Sequence, residues 1–382
     1  MCDGMPPVER SELNIAPWLR PLWDALDFAN FPNAILLHGQ AGIGKFAFSI
    51  ELAKALLCES SDRLTKPCDH CEACHWFNTG NHPDFIALVP ETHRKLLPHG
   101  DYESDETPKK GKTAREDSDG DGAEKKEKKN ISIEETRSAI EGLSIGSHRG
   151  GNRVILIYPL EMLRSDSANT LLKSLEEPPA NTIFLLLADR VDRVLPTIRS
   201  RCRLLTAPRP NRTQGLAWLK SQLPLIAGLQ ANEGDIETIY DEQGGAPYSV
   251  LDSLRARHNK DDKDELTISI AASRYLLQSM AQGGRIAWLD AAEKTHKAQF
   301  SFLLATMQRW VSDLLLVTQS GTPRYYPKHI GTLQGLSQTA QLPKLLHFWK
   351  SLVQARRTEN HPLANRIQLE ALLAQYQQIF ET

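Results

Sequence analysis

The sequence alternates short apolar runs with amphipathic stretches over about its first 200 residues. Four apolar runs predict strands, and the third is continuous enough for a strand buried on both faces of a parallel sheet. They cover residues 34–37, 85–89, 153–158 and 183–188. Between the last two runs, the apolar positions have the spacing of one helix face, with Ser165 as a suitable N-cap and Pro178 as a stop: Ala168, Leu171, Leu172 and Leu175. The alternation predicts an α/β domain whose parallel sheet is flanked by helices.

Beyond Pro208-Arg209-Pro210 the strand pattern fades. Residues 213–257 have the pattern of a small helical module that ends near Gly244–Pro247. Long amphipathic helices are predicted after it, for example over residues 266–280, 300–317 and 363–380. We therefore predict an α/β domain over residues 1–207, a small helical domain over 208–258 and an all-helical domain over 259–382.

A charged segment interrupts the first domain. Residues 91–130 contain 11 acidic and 10 basic side chains, and apolar residues are almost absent between 100 and 130. Such a segment cannot bury enough apolar surface to offset its ordering entropy, so we expect a disordered insertion in a surface loop. Its Lys-rich end, residues 125–129, could contact DNA, although a solvated charge run is the more usual interpretation.

Composition and charge limit the function. The 382 residues include 45 Lys+Arg and 47 Asp+Glu, with 41% hydrophobic residues, as in ordinary soluble proteins. A formal net charge of −2 argues against a protein that binds nucleic acid over its whole surface. No run approaches the roughly 18 uninterrupted apolar residues of a membrane span, and residues 1–7 do not resemble a secretory signal. We expect a cytoplasmic protein with no membrane partner.

Gly39-Gln-Ala-Gly-Ile-Gly-Lys45 fits the phosphate-binding pattern G-x-x-x-x-G-K. Gly39, Gly42 and Gly44 would let backbone N–H groups approach phosphate oxygens, and Lys45 would reach the terminal phosphates. The next residue should be a Ser or Thr that binds Mg²⁺, and here it is Phe46. The sequence thus predicts a degenerate phosphate loop that leaves nucleotide binding open and lacks its metal ligand.

A working loop also needs acidic residues at the end of a neighbouring strand. The run 153–157 is followed by Tyr158 and Pro159 where an Asp-Glu pair would stand, and Glu161 lies further along, beyond the proline. With both metal supports missing, we expect no Mg²⁺ site and little or no ATP hydrolysis.

Four of the six cysteines fall within 17 residues, at Cys58, Cys68, Cys71 and Cys74. Four thiolates suit a tetrahedral structural Zn²⁺ with no open coordination position. Free or redox-active thiols and an iron–sulfur cluster are the alternatives. His70 and His75 could replace a ligand, but four cysteines leave them no necessary role.

A basic turn, Leu195–Arg203, follows the fourth predicted strand. Taken alone, such a turn is typical of a solvated loop. Beside a phosphate-loop fold, Arg201 between Ser200 and Cys202 suggests an arginine finger, a guanidinium offered to a γ-phosphate bound by a neighbouring subunit.

These motifs in this order resemble bacterial clamp-loader subunits of the AAA+ class. The resemblance rests on Leu-Leu-Lys-Ser-Leu-Glu-Glu-Pro-Pro at 171–179, Thr-Ile-Arg-Ser-Arg-Cys at 197–202 and the four-cysteine module after the phosphate-loop helix. Within the class, the degraded Mg²⁺ positions, residues 17–23 and His82-Pro83-Asp84 resemble the delta-prime family of DNA polymerase III rather than the ATP-hydrolysing gamma/tau family. The resemblance covers the chain apart from residues 91–130 and is weakest after about residue 260.

The resemblance implies the stator of a five-subunit loader that places the sliding clamp on primed DNA. Its partners would be gamma/tau and delta subunits, with clamp and DNA reached through the assembly. Arg201 would act on the ATP site of an adjacent gamma/tau subunit, the four cysteines would hold zinc, residues 208–258 would form the lid and residues 259–382 the collar. Tyr248 stands where an active relative would have a nucleotide-sensing arginine. Such a subunit has no catalysis of its own, although the holoenzyme is a DNA-directed DNA polymerase, a nucleotidyltransferase.

Two other functions stay open at this point. The chain could be an active ATPase of the gamma/tau type, with ATP or ADP bound through Lys45. It could also be a stand-alone zinc-containing DNA-binding protein, which its balanced charge argues against.

Overall fold

The computed structural model describes residues 15–62, 66–94, 97–98, 150–163, 165–225, 232–258, 265–319, 321–357 and 365–381. The chain divides into two compact units, Met1–Arg209 and Pro210–Thr382. Residues 91–94 form a short helix rather than the start of a disordered loop. Apart from residues 97 and 98, the remainder of the predicted insertion lies outside the described residues.

A five-stranded parallel sheet forms the centre of the first unit, as the sequence predicts. Its strands lie in the order β2-β3-β4-β1-β5. In chain order they are β1 Ala34–His38, β2 Phe85–Leu88, β3 Arg153–Ile157, β4 Thr182–Ala188 and β5 Arg203–Thr206. Every residue of β3 and β4 is buried. The order brings the carboxyl ends of β1, β4 and β5 next to one another.

The predicted strands are confirmed, and β5 is an additional strand. It pairs with β1 at one edge of the sheet, and three of its four residues are exposed. A short, exposed edge strand that follows a basic turn has no continuous apolar run, so the hydrophobic pattern does not reveal it.

Helices flank this sheet. They are α1 Arg20–Asp24, α2 Lys45–Leu57, α3 Glu72–Asn78, α4 Glu91–Arg94, α5 Ser165–Glu176 and α6 Pro196–Arg199. Leu171 and Leu175 of α5 share a buried cluster with Ile155 of β3, Phe184 of β4 and Ile198 of α6. The cluster fixes α5 and α6 against one face of the sheet, and α6 lies within the basic turn Leu195–Arg203.

The described part of the second unit is helical. Its helices are α7 Arg212–Gln222, α8 Glu233–Glu242, α9 Pro247–His258, α10 Glu265–Met280, α11 Trp288–Thr295, α12 Phe300–Gln319, α13 Ile330–Thr339, α14 Leu342–Arg357 and α15 Asn365–Gln378. Helices α7 to α9 enclose a small apolar cluster of their own. The larger cluster contains residues from α10 to α15. The division into lid and collar at residue 258 stays a prediction.

Helix α12 runs through the larger cluster. Trp310 Nε1 donates to Tyr376 Oη at 2.8 Å, and that hydroxyl donates to the Met280 carbonyl at 2.8 Å. The buried Asp313 carboxylate accepts hydrogen bonds of 2.7–3.1 Å from the backbone N–H groups of residues 324–326. Among the described residues, α12 alone has the length and composition of a membrane span. Because Trp310 and Leu314 are fully buried by other helices, α12 is a core helix.

Candidate functional site

The phosphate-loop sequence forms a tight turn between β1 and α2. Gly42 and Gly44 have φ angles of 73° and 93°, in the left-handed region that favours glycine. At Gly39 a Cβ atom would lie 3.1 Å from the Ala207 carbonyl oxygen, so the turn passes close to the chain beyond β5. Trp18 Nε1 donates to the Ile43 carbonyl at 2.9 Å. The N-terminal segment therefore helps to hold this loop in one conformation.

Lys45 is directed back into the protein. Its ammonium donates to the carbonyls of Gly39 and Gln40 at 2.9 and 2.7 Å and to Asp189 Oδ1 at 2.6 Å. The Lys45 side chain is 2% exposed. An ammonium has three donors, so these contacts satisfy Lys45 completely and Asp189 neutralises its charge.

The sheet places Asp189 beside the loop. His38 of β1 pairs with Ala188 of β4, and Asp189 is the next residue. No local pattern indicates this partner, because the contact joins residues 144 positions apart. Burial lowers the pKa of His38, and the nearby cations Arg199 and Lys45 lower it further.

Aromatic rings fill the positions where the sequence predicts missing metal ligands. The ring centroids of Phe46 and Tyr158 are 5.4 Å apart. Tyr158 Oη donates toward the Asp189 carboxylate at 3.3 and 3.4 Å. His93 of α4 lies edge-on to Tyr158 at 5.2 Å, and burial lowers the pKa of His93. The phosphate loop thus faces a packed aromatic group where a working site would present metal ligands.

Glu161 has a structural contact at this edge. Its Oε1 accepts hydrogen bonds from the backbone N–H groups of Asp189 and Arg190 at 2.9 and 3.1 Å. Burial raises the pKa of Glu161. The carboxylate therefore fixes the turn that presents Asp189 to Lys45.

The four predicted cysteines come together in one cluster. Their sulfur atoms all lie within 4.8 Å of one another, and those of Cys58 and Cys71 are 3.9 Å apart. Thiolates around a tetrahedral Zn²⁺ at about 2.3 Å lie about 3.8 Å from each other. The donor set and its spacing therefore fit one tetrahedral metal ion. Neither His70 nor His75 belongs to this group.

Local structure builds the cluster. Cys58 follows the last residue of α2, Cys71 caps α3, and Cys74 lies in the first turn of α3. The backbone N–H groups of Cys68 and Cys74 donate to the sulfurs of Cys58 and Cys71, both at 3.4 Å. A hydrogen bond with Cys74 lowers the pKa of Cys58 to about 4 and raises the pKa of Cys74. The hydrogen bond thus makes Cys58 the more acidic thiol of this pair.

Cations lie next to the cluster. Lys66 Nζ donates to the Cys58 carbonyl at 2.7 Å, and Lys54 forms an ion pair with Asp69. Since four thiolates and one divalent cation carry a net charge of −2, the Lys66 ammonium would stabilise the loaded site, whereas Asp69 already compensates the charge of Lys54. Helix α2 has 13 residues, so it separates this cluster from the phosphate loop by about 20 Å. The cluster is therefore not part of the phosphate site.

Arg201 follows α6 at the protein surface. One guanidinium nitrogen donates to the Thr197 carbonyl at 2.8 Å, and another forms an ion pair with Glu176 at the end of α5. Ser200 Oγ donates to the same Thr197 carbonyl at 3.0 Å. Cys202 is partly buried, and burial raises its pKa to about 11. Of the three residues that the sequence singles out here, Arg201 is the one with a charged group at the surface.

Tyr248 lies in the second unit, at the start of α9. Its ring packs against Trp218 of α7 with centroids 4.7 Å apart. The residue that stands at the predicted sensor position is thus an aromatic packing contact.

A family model described as DNA polymerase III, delta subunit, matches residues 19–211, half of the chain. The chain belongs to this family. The matched segment includes the phosphate loop, the cysteine cluster and Arg201. Relatives named DNA polymerase III subunit delta′ also match this chain, and together with the family model they confirm the resemblance that the motifs indicate.

Relatives within the family match well beyond the motifs. The DNA polymerase III subunit delta′ of Pseudomonas aeruginosa is 27% identical over 376 residues, which cover 95% of this chain and 97% of the relative. The subunit delta′ of Escherichia coli K12 is 31% identical over 228 residues, 57% of this chain and 58% of the relative. A gamma subunit-related protein from Thermotoga maritima has a solved structure with 15% identity and a TM-score of 0.42, covering 92% of this chain and 96% of its own.

We predict about one tightly bound metal ion per chain after purification without chelators. Replacing Cys74 with Ser should abolish stoichiometric binding and lower the thermal midpoint, because the fourth thiolate and its share of the folding energy are lost. Cys202→Ser is the matched control, since Cys202 lies outside the cluster. Elemental analysis of both variants provides the measurement. Equal metal content in the Cys74 variant and the wild type would contradict the four-thiolate site.

Proposed function

We propose that the chain is the delta-prime subunit of a bacterial DNA polymerase III clamp loader. In this role it joins gamma/tau and delta subunits in the cytoplasm and helps to place the sliding clamp on primed DNA. Family membership and relatives named delta′ along nearly the whole chain support the role. The observation that carries the finer proposal is that Lys45 is neutralised inside the protein while Arg201 is held at its surface.

The first part of the proposal is that the chain does not hydrolyse ATP. The loop has Phe46 in place of a magnesium-binding hydroxyl, and Tyr158 is hydrogen-bonded to Asp189. A nucleotide phosphate would have to replace Asp189 as the partner of Lys45 and leave that carboxylate without its cation. This exchange is unfavourable because a partly buried carboxylate would lose its compensating charge.

For the isolated protein we predict no ATP hydrolysis and a thermal midpoint that millimolar ADP raises by less than about 1 °C. Asp189→Ala should lower the midpoint, because Lys45 is left buried without an anion, and ADP should then restore part of the loss. Lys45→Ala combined with Asp189→Ala is the control and should not respond to ADP. Steady hydrolysis by the wild type that Lys45→Ala abolishes would instead favour an active ATPase of the gamma/tau type.

The second part of the proposal is that Arg201 acts in trans. A guanidinium placed beside a γ-phosphate stabilises the charge that develops during hydrolysis. Arg201 needs a phosphate from outside this chain, since its own phosphate loop is occupied by Lys45 and Asp189. An adjacent gamma/tau subunit with bound ATP would supply that phosphate.

Arg201→Ala in a reconstituted loader should reduce DNA-stimulated ATPase and clamp loading by at least about tenfold, with assembly unchanged. Arg203→Ala is the matched control because Arg203 is an exposed arginine two residues away. Steady-state ATPase assays and gel filtration of the complex provide the measurements. Unchanged ATPase in an assembled Arg201→Ala complex would remove the finger assignment.

The third part of the proposal is that helix α14 is an assembly surface within the collar. Leu342, Leu346 and Val353 are exposed, and their i, i+4, i+11 spacing places them on one helix face. The same helix has four basic residues and no Asp or Glu: Lys344, Lys350, Arg356 and Arg357. An apolar stripe on a helix with basic and no acidic side chains suits a helix of a neighbouring subunit with apolar and acidic side chains. It does not suit a second copy of itself.

Leu346→Asp should weaken incorporation into the loader by about tenfold or more, because it puts a charge in the centre of the apolar stripe. The thermal midpoint of the isolated protein should stay close to that of the wild type, since the position is exposed. Gln354→Asp adds the same charge on the same helix beside the stripe and is the control. Co-purification with gamma/tau and delta measures the outcome, and equal recovery of both variants would disprove the surface.

We also propose that the metal of the cysteine cluster is zinc with a structural role. The cluster offers four sulfur ligands and no open position, which is the arrangement of structural zinc sites. When bound, zinc would tie the end of α2 to the start of α3. Elemental analysis of the purified protein identifies the ion, and iron with sulfide would contradict zinc.

A further inference from the structure

Glu176 occupies an unusual place for an acidic side chain. It is the last residue of α5, where the negative end of the helix dipole disfavours a carboxylate. Its side chain is 50% exposed and forms an ion pair with Arg201. The nearby cation compensates the carboxylate at this helix end.

Two contacts orient the Arg201 guanidinium. Glu176 holds one terminal nitrogen from the end of α5, and the Thr197 carbonyl holds the other at 2.8 Å from within α6. A planar guanidinium fixed at both terminal nitrogens cannot rotate freely. With five N–H donors in the group, donors are left for a further anion.

We propose that Glu176 is a positioning residue for Arg201. It sets the orientation in which the guanidinium meets the γ-phosphate of ATP bound to the neighbouring subunit. The inference rests on the proposed action of Arg201 in trans, and it adds a residue that touches neither nucleotide nor partner phosphate in that scheme.

The exposure of the pair suits this role. Arg201 and Glu176 are 34% and 50% exposed, so water screens their attraction and the pair has little net stability. Arg153 and Asp84 in the same unit are 4% and 1% exposed, and a pair of that kind would be costly to separate. An arginine that must bind a phosphate needs a partner that orients it without retaining it, and Glu176 meets both requirements.

Glu176 also belongs to the stretch 171–179 that carries the sequence resemblance, and the proposed scheme gives this stretch no direct contact with a phosphate group. Leu171 and Leu175 place α5 in the sheet cluster together with Ile198 of α6. The apolar contacts thus fix the distance between the two helices whose ends hold Arg201. Glu176 is the last residue of α5, and the apolar cluster holds this helix in a fixed position relative to α6.

The test compares Glu176→Ala with Glu177→Ala in the reconstituted loader. Glu177 is the next residue, is also exposed and follows the end of α5, so the pair of variants is matched for charge and position. We expect Glu176→Ala to lower the kcat of DNA-stimulated ATPase by about three- to tenfold with the KM for ATP unchanged, because orientation matters in the transition state. Glu177→Ala should retain wild-type kcat, and both complexes should assemble.

A double-mutant cycle distinguishes positioning from a general structural effect. In the Arg201→Ala background, Glu176→Ala should cause no further loss of kcat, because its effect passes through Arg201. Equal, additive losses in both backgrounds would overturn the inference, and so would wild-type kcat for Glu176→Ala beside a defective Arg201→Ala. That last result would leave the proposed action of Arg201 intact. An unchanged Arg201→Ala complex would instead refute the proposed function itself.

Discussion

The ion pair between Lys45 and Asp189 determines the arrangement at the carboxyl edge of the sheet. A lysine placed at the start of α2 and almost fully buried needs an anion, since an unpaired buried ammonium is strongly disfavoured. In a phosphate loop that anion would be the nucleotide. Here a carboxylate of the same chain takes its place, and neighbouring residues keep it there. Glu161 binds the backbone of Asp189, and Tyr158 donates to its carboxylate.

At the same edge, the two residues that differ from the expected metal ligands contact each other. Phe46 replaces a hydroxyl and Tyr158 replaces an acid, and the two rings contact each other. A single aromatic residue at either position would expose apolar surface at the mouth of a polar loop. Together they cover each other, and His93 packs on the second ring. The two rings thus pack against each other, and His93 packs against Tyr158, at the positions where the sequence lacks the expected metal ligands.

The sequence predicted the features that depend on neighbouring residues, and it did not predict contacts between residues far apart in the chain. The apolar runs of β1, β3 and β4 and the cysteine spacing are local patterns, so the sheet and the cluster could be predicted from them. The edge strand β5 could not, because most of its side chains are exposed. Asp189 and Glu176 were also missed. Each is an ordinary acidic residue until the fold brings it to Lys45 or Arg201, and nothing in the neighbouring sequence indicates that pairing.

Lys45 and Arg201 differ in how strongly their anionic partners bind them, and this difference follows from burial. Removing the anion from Lys45 would cost up to about 3 kcal/mol. This value is the lower end of the range for breaking a buried ion pair, and it applies here because Asp189 is partly exposed. An exposed pair such as Arg201 with Glu176 contributes about 0–1 kcal/mol. On these magnitudes, a phosphate would compete poorly for Lys45 and easily for Arg201. The proposed function, in which the subunit does not use its own phosphate loop yet offers an arginine to a neighbour, would need this order of strengths. The fold provides it by burying one cation at the sheet edge and leaving the other at the ends of two surface helices.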